Sequence, residues 1–218
     1  MDKNPNPIGS TYDGVVSKES VHIAFTYAAL NGIELYVADI RNTYLQFPSP
    51  QKDYIICGPE FGIENVGKYA LVGRALYGGK SVGKDWRNHL RSCMSHLDFA
   101  LCPANPYVWM RPAKHSNGTD YYDFVLLYTN DTLVISENAE QVLRNDLGRY
   151  FEPKEKFIGP PKIYQGGSTR KFKPENGVKA WDLGSSQYVN SAVKNVEAYA
   201  SKQLWDWWKL PVKSETPF

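Results

Sequence analysis

Two β-prone runs flank Thr129-Asn130-Asp131, and this doublet constrains the fold more than any other stretch of the chain. Tyr122 to Tyr128 and Thr132 to Ile135 are rich in aromatic and β-branched residues, which favour extended backbone. Asn and Asp tolerate tight reversals, so the stretch predicts an antiparallel hairpin with Asp131 in its turn. Far upstream, Ile33 to Asp39 shows strand alternation: Ile33, Leu35, Val37 and Asp39 share one face, an apolar stripe that ends in a carboxylate.

The other elements follow from periodicity and stop signals. Ser17 predicts an N-cap for a helix to about Leu30, with Val21, Ala24, Phe25 and Ala28 at helical spacing and Asn31-Gly32 as its stop. Trp86, Leu90, Cys93 and Leu97 pattern a helix from Gly83 to about Leu97. Further helices are predicted over 138–150 and about 185–200. Short strands are predicted at 54–57, 107–110 and 162–164, with a hairpin from the Gly166-Gly167 turn to Trp181. After the first helix the order β, α, ββ, α, β predicts an α+β domain, helices packed on one face of an antiparallel sheet. Residues 1–11 read as an N-terminal arm, 12–200 as the folded body and 201–218 as a Trp-rich tail.

Composition sets the class. Of the 218 residues 42% are apolar and 22% charged, enough apolar surface for a packed core. The net charge of +2 provides no overall field to draw the chain to nucleic acid or a lipid surface, although a local basic groove stays open. The three cysteines have no Cys-x-x-Cys spacing, which argues against a disulfide framework or a zinc ribbon and fits a reducing compartment. With no secretory leader and no apolar span of about 20 residues, the expectation is an intracellular protein, cytoplasmic or nuclear, with no membrane partner.

Asp39 and Asp131 form the leading candidate for chemistry. Carboxylates from a strand end and an adjacent hairpin could hold Mg²⁺ with several waters retained. The plain alternative is that the chain has 23 acidic residues and that Asp is an ordinary turn residue.

The motifs add a resemblance. Val37-Ala38-Asp39-Ile40-Arg41-Asn42-Thr43-Tyr44-Leu45-Gln46 resembles the first palm motif of copia-type retrotransposon reverse transcriptases, D-V-K-x-A-F-L. Residues 75–86, Ala-Leu-Tyr-Gly-Gly-Lys-Ser-Val-Gly-Lys-Asp-Trp, are similar to their S-L-Y-G-L-K-Q-A-P-R-x-W block. Leu127 to Leu133 stands where they carry L-Y-V-D-D-x-L, and Phe151-Glu152-Pro153-Lys154 to Gly167 resembles their F-x-M-K-D-L-G-x-x-x-x-x-L-G segment. Val15 to Ser20 echoes the P-V-V-S-x-x-S before the first motif, so the ordered similarity runs over roughly 12–200.

This resemblance implies a reverse-transcriptase palm with partial fingers. It implies RNA-directed DNA synthesis by two-metal nucleotidyl transfer on a primer–template, with a deoxynucleoside triphosphate as substrate. Asp39 and Asp131 then stand at Mg²⁺-ligand positions, and Tyr44 at the aromatic gate beneath the nucleotide sugar. Gly78, Gly79 and Lys80 stand at the loop and helix start behind the templating pair. Asn130 replaces the first Asp of the paired motif, and a neutral amide removes one charge and one bridging ligand. Ser81 and Gly83 stand for the family's Gln and Pro, and the finger strands, ribonuclease H and integrase segments have no counterpart in the sequence. The expectation is a truncated palm, impaired or inactive, with weakened Mg²⁺ binding. A non-catalytic nucleic-acid binder and a structural remnant are the alternatives.

Other signals are weaker. His89, Cys93 and His96 at helical spacing, with Cys102 beyond, sketch a zinc site, with helix packing as the default. Gly79-Lys80-Ser81-Val82-Gly83 fits a nucleophile-elbow pattern without the strand such an elbow requires. Arg74 stands where a phosphate loop needs its first Gly. Arg170 to Lys173 reads as a solvated basic hairpin that could touch a nucleic-acid backbone, and Trp205 to Trp208 as tail packing.

Overall fold

In the computed structural model the predicted hairpin lies within a five-stranded antiparallel sheet. The structure describes residues 14–49, 52–79, 81–175, 177 and 179–202, except the side chains of Gln187 and Lys202. The N-terminal arm, Lys80 and the Trp-rich tail beyond 202 therefore lie outside the described residues. The chain divides into two compact units, one up to Pro160 and one from Pro161, a boundary inside the 12–200 stretch.

In the first unit, α1 (Lys18–Asn31) begins on Ser17, whose side chain accepts from the Ser20 N–H, and ends on Gly32 in the left-handed region. It leads into β1 (Leu35–Asp39). A short ribbon follows, β2 (Tyr54–Ile56) paired with β3 (Tyr69–Leu71), and then α2 (Val82–His96). β4 (Ala100–Cys102), β5 (Asn105–Lys114), β6 (Asp120–Tyr128) and β7 (Asp131–Ile135) complete the sheet in the order β1-β7-β6-β5-β4. The chain thus returns its last strand beside its first.

β5 is longer than the predicted 107–110, since it continues through Pro112 to Lys114. Proline argues against a strand interior, but β4 pairs with β5 only as far as Met110. Beyond that point β5 has β6 on one side alone, and an edge tolerates the missing donor. The predicted 138–150 helix forms one regular turn, α3 (Ala139–Gln141), which widens into a π turn (Val142–Asp146) and tightens into a 3₁₀ turn (Leu147–Arg149). Its apolar residues Ala139, Val142, Leu143 and Leu147 remain buried, so packing is kept at the expense of a regular ladder.

Helices on one face only is corrected by the structure. One sheet face, with Ala38, Trp109, Val125, Leu127 and Val134, shares a core with Trp86, Leu90, Cys93 and Met94 of α2 and with the 139–149 segment. On the opposite face the Tyr27 ring of α1 meets Phe124 edge-on, centroids 5.3 Å apart. Helices therefore cover both faces. The physical sign is the run Val125-Leu126-Leu127, buried at consecutive positions of a strand whose side chains alternate between faces.

The second unit is a three-stranded antiparallel sheet of β8 (Ile163–Tyr164), β9 (Gly167–Phe172) and β10 (Ala180–Gly184), in the order β10-β9-β8, followed by α4 (Ser186–Lys202). Within the basic run, Arg170 pairs with Asp182 at 3.4 Å and Lys171 lies over the Trp181 ring at 5.0 Å. Among the described residues no helix is long and apolar enough to cross a membrane.

Candidate functional site

Antiparallel pairing of β1 with β7 sets Leu35 opposite Ile135, Val37 opposite Leu133 and Asp39 opposite Asp131. Packing on both faces locks this register, because a one-residue slip would drive Leu35, Leu133 and Ile135 into the face already filled by Ala38 and Val134. The two carboxylates therefore meet at one end of the sheet, on one face, as direct cross-strand neighbours. Asp131 is not in the turn, as expected from sequence, but is the first residue of β7 and also pairs with Tyr128 of β6. The loop proper is Thr129-Asn130, with Thr129 at φ 56°.

Asn130 and Lys154 close on Asp39. The Asn130 side-chain amide donates to Asp39 Oδ1 at 3.0 Å, and Lys154 Nζ donates to Oδ2 at 2.7 Å. Backbone bonds carry both residues there: Ile40 N–H donates to Asn130 C=O at 2.9 Å, and Lys154 N–H to Asp39 C=O at 2.8 Å. Burial, and then the adjacent Asp39 charge, hold the Asp131 carboxyl above the ordinary Asp range, while Lys154 acts in the opposite sense.

On the opposite face of the sheet, the one that carries Leu127 and Trp109, Tyr44, Trp86, Arg87, Tyr107 and Thr129 line a cleft of ≈ 140 Å³ whose lining includes neither Asp39 nor Asp131. Tyr44 sits in a 3₁₀ turn (Thr43–Gln46), its ring edge-on to Tyr77 at 4.8 Å and to Trp86 at 6.5 Å. The cleft thus runs from Tyr44 to the residue before Asn130. Its volume falls short of the roughly 300 Å³ at which pockets for small-molecule ligands begin. Gly78 holds φ 90° in the turn before α2, a conformation that favours glycine, and a Cβ on Gly79 would fall 2.6 Å from Val82 Cγ2.

The donors do not fit a pair of divalent ions. Both oxygens of Asp39 already accept, one from an amide and one from an ammonium, and the amide turns its N–H toward the carboxylate. Among the described residues no group of three or more His, Cys, Asp or Glu side chains is placed to hold a metal. Of the zinc sketch, Cys93 Sγ and His89 Nε2 lie 3.7 Å apart, but His89 also stacks on Phe47 at 5.6 Å, His96 stacks on Tyr150 at 6.3 Å, and Cys93 is buried in the core, its thiol pushed up by burial.

Lys154 is the site residue that spacing alone missed. Its signal was the Lys of the Phe151-Glu152-Pro153-Lys154 segment, far from Asp39 in sequence. The chain matches no protein-family model and no curated protein.

Proposed function

We propose that this chain is a reverse-transcriptase palm of the copia-type retrotransposon class, in which nucleotidyl transfer is impaired or lost. The observation that carries the reading is the Asp39–Asp131 cross-strand pair with Asn130 in the two-residue loop beside it. A two-metal mechanism needs carboxylates converging within a few ångströms, since its ions lie about 4 Å apart. The cross-strand register supports such a convergence of the acids, although both oxygens of Asp39 are already engaged, and the resemblance sets Asp39, Asn130 and Asp131 at the family's metal positions. By the same resemblance Tyr44 stands at the aromatic gate beneath the nucleotide sugar, and Gly78, Gly79 and Lys80 at the loop and helix start behind the templating pair.

The same site argues against turnover. An amide at 130 leaves the ligand set one carboxylate short, which costs about 10²–10⁴ in rate when a ligand serves both ions. A second reading, a non-catalytic binder of primer–template nucleic acid, is favoured by the small cleft and by Lys154 on Asp39.

The test pairs primer extension with Mn²⁺ titration on the natural chain and on Asn130→Asp. Extension should be absent or trace with Asn130, and the substitution should restore ion binding more readily than synthesis. Robust extension by the Asn130 form overturns the impaired-enzyme reading. Duplex binding with a steep salt dependence supports the binder, because phosphate contacts release counterions, and no binding at any salt leaves a structural remnant.

A further inference from the structure

We infer that Lys154 is a built-in counter-ion of this site: its ammonium takes the place of a divalent cation at Asp39 and competes with one. The inference rests on the reading of Asp39 as a metal position.

Lys154 is not a surface lysine that happens to reach a carboxylate. The segment carrying it is fastened along the end of β1. Arg41 N–H donates to Glu152 C=O at 2.9 Å, Glu152 N–H donates to Gln46 Oε1 at 2.7 Å, Ile40 bridges to Pro153, and Lys154 N–H donates to Asp39 C=O. An Arg41–Glu152 ion pair at 3.1 Å closes the outside. Gln46 Nε2 adds bonds to the Arg41 and Glu152 carbonyls. The Lys154 backbone is thus set next to Asp39 before its side chain is considered, and Nζ also lies 5.9 Å from the Phe157 ring centroid. The ion pair is partly shielded from solvent, so it is screened less than an exposed one.

Asp39 is the only one of the two carboxylates with both oxygens engaged by positively polarised donors, Lys154 on one and the Asn130 amide on the other. A divalent ion approaching it meets a fixed positive charge at bonding distance from Oδ2. Loss of the carboxylate at 130 and retention of the lysine therefore act together: one lowers the negative charge of the site, the other neutralises what remains.

The experiment measures Mn²⁺ affinity by electron paramagnetic resonance on the full chain. The forms are the natural chain, Lys154→Met, Lys154→Gln, Lys154→Arg, Asn130→Asp and the double variant Asn130→Asp/Lys154→Met. Removing the charge should tighten Mn²⁺ binding by about tenfold or more, both against the natural chain and against Asn130→Asp. Lys154→Arg should stay at the starting affinity, which separates charge from volume. Lys154→Gln serves if the Met form fails to fold. In EDTA the charge-removed forms should unfold at lower temperature, and Mn²⁺ should restore the loss. If Asn130→Asp binds Mn²⁺ and loss of the lysine charge adds nothing in either background, the inference is overturned while the metal-site reading stands. If no form binds Mn²⁺, both fail.

Discussion

Asp39 and Asp131 are direct cross-strand partners, the last residue of β1 facing the first residue of β7. Two acids at such a position repel unless something lies between or beside them, and like charges directly opposite destabilise a sheet. Asn130 and Lys154 are the residues that relieve Asp39, while burial and then the Asp39 charge raise the pKa of Asp131.

That shift has a sign. Burial first, then Asp39, raise the folded pKa of Asp131 above its unfolded value, so between the two the folded state holds more protons. Stability therefore falls as pH rises from the ordinary Asp range through the folded pKa. Asp131→Asn should raise the unfolding midpoint at pH 7, with an advantage that shrinks as pH falls through the raised folded pKa and is gone below about 4. Urea titrations of both forms between pH 3 and 7 check it, and a pH-independent difference would contradict it.

Asn130→Asp replaces a donor to Asp39 with a third carboxylate. Without divalent cation it should destabilise the fold by about 1–2 kcal/mol, from the lost bond and added repulsion. Mn²⁺ should recover part of this. Thermal unfolding with and without the ion gives the answer.

Thr129 occupies a left-handed φ in the two-residue loop, where a β-branched residue is strained by roughly 1–2 kcal/mol. Glycine relieves this at an entropic cost of about 0.5–1 kcal/mol. Thr129→Gly should therefore be stabilising by about 0.5–1 kcal/mol, read as a shift in urea midpoint, and a loss of stability would mean that the Thr129 side chain contributes contacts worth more than its strain.

At the opposite end of the hairpin, Arg111 donates to Asp123 and Asp146 at 3.0 Å each and to the Leu97 carbonyl at 3.2 Å. Asp123 is buried and also accepts from Tyr121 Oη at 3.0 Å. Arg111→Met should cost about 3–5 kcal/mol, because it leaves a buried charge without its partner. Adding Asp123→Asn should return part of that loss. A double-mutant cycle in urea measures the coupling.

Leu126 is fully buried between its strand neighbours and the second face of the sheet. Leu126→Ala should cost about 2–5 kcal/mol by chemical denaturation. A cost below 1 kcal/mol would indicate that the α1 face is loosely packed.

Local sequence was enough for the short-range features. Ser17, Asn31-Gly32 and the apolar spacing of 86–97 determined α1 and α2 almost to the residue, because caps and helical periodicity act within a few positions. The hairpin at 122–135 and the carboxylate at the end of β1 were legible for the same reason, and the mixed α+β class with them. Tertiary structure decided the rest. Pro112 lies within β5 because β4 ends before it, and α1 covers the second face because the consecutive apolar residues of β6 leave two faces to bury. The 139–149 segment departs from a regular ladder because its apolar residues answer to the core. Lys154 reached Asp39 through a chain of backbone bonds from 39–46 to 152–154, more than a hundred residues apart, and no local periodicity encodes such a pairing. Register brings distant residues together only once the apolar faces have chosen their partners, and that choice belongs to the whole sheet.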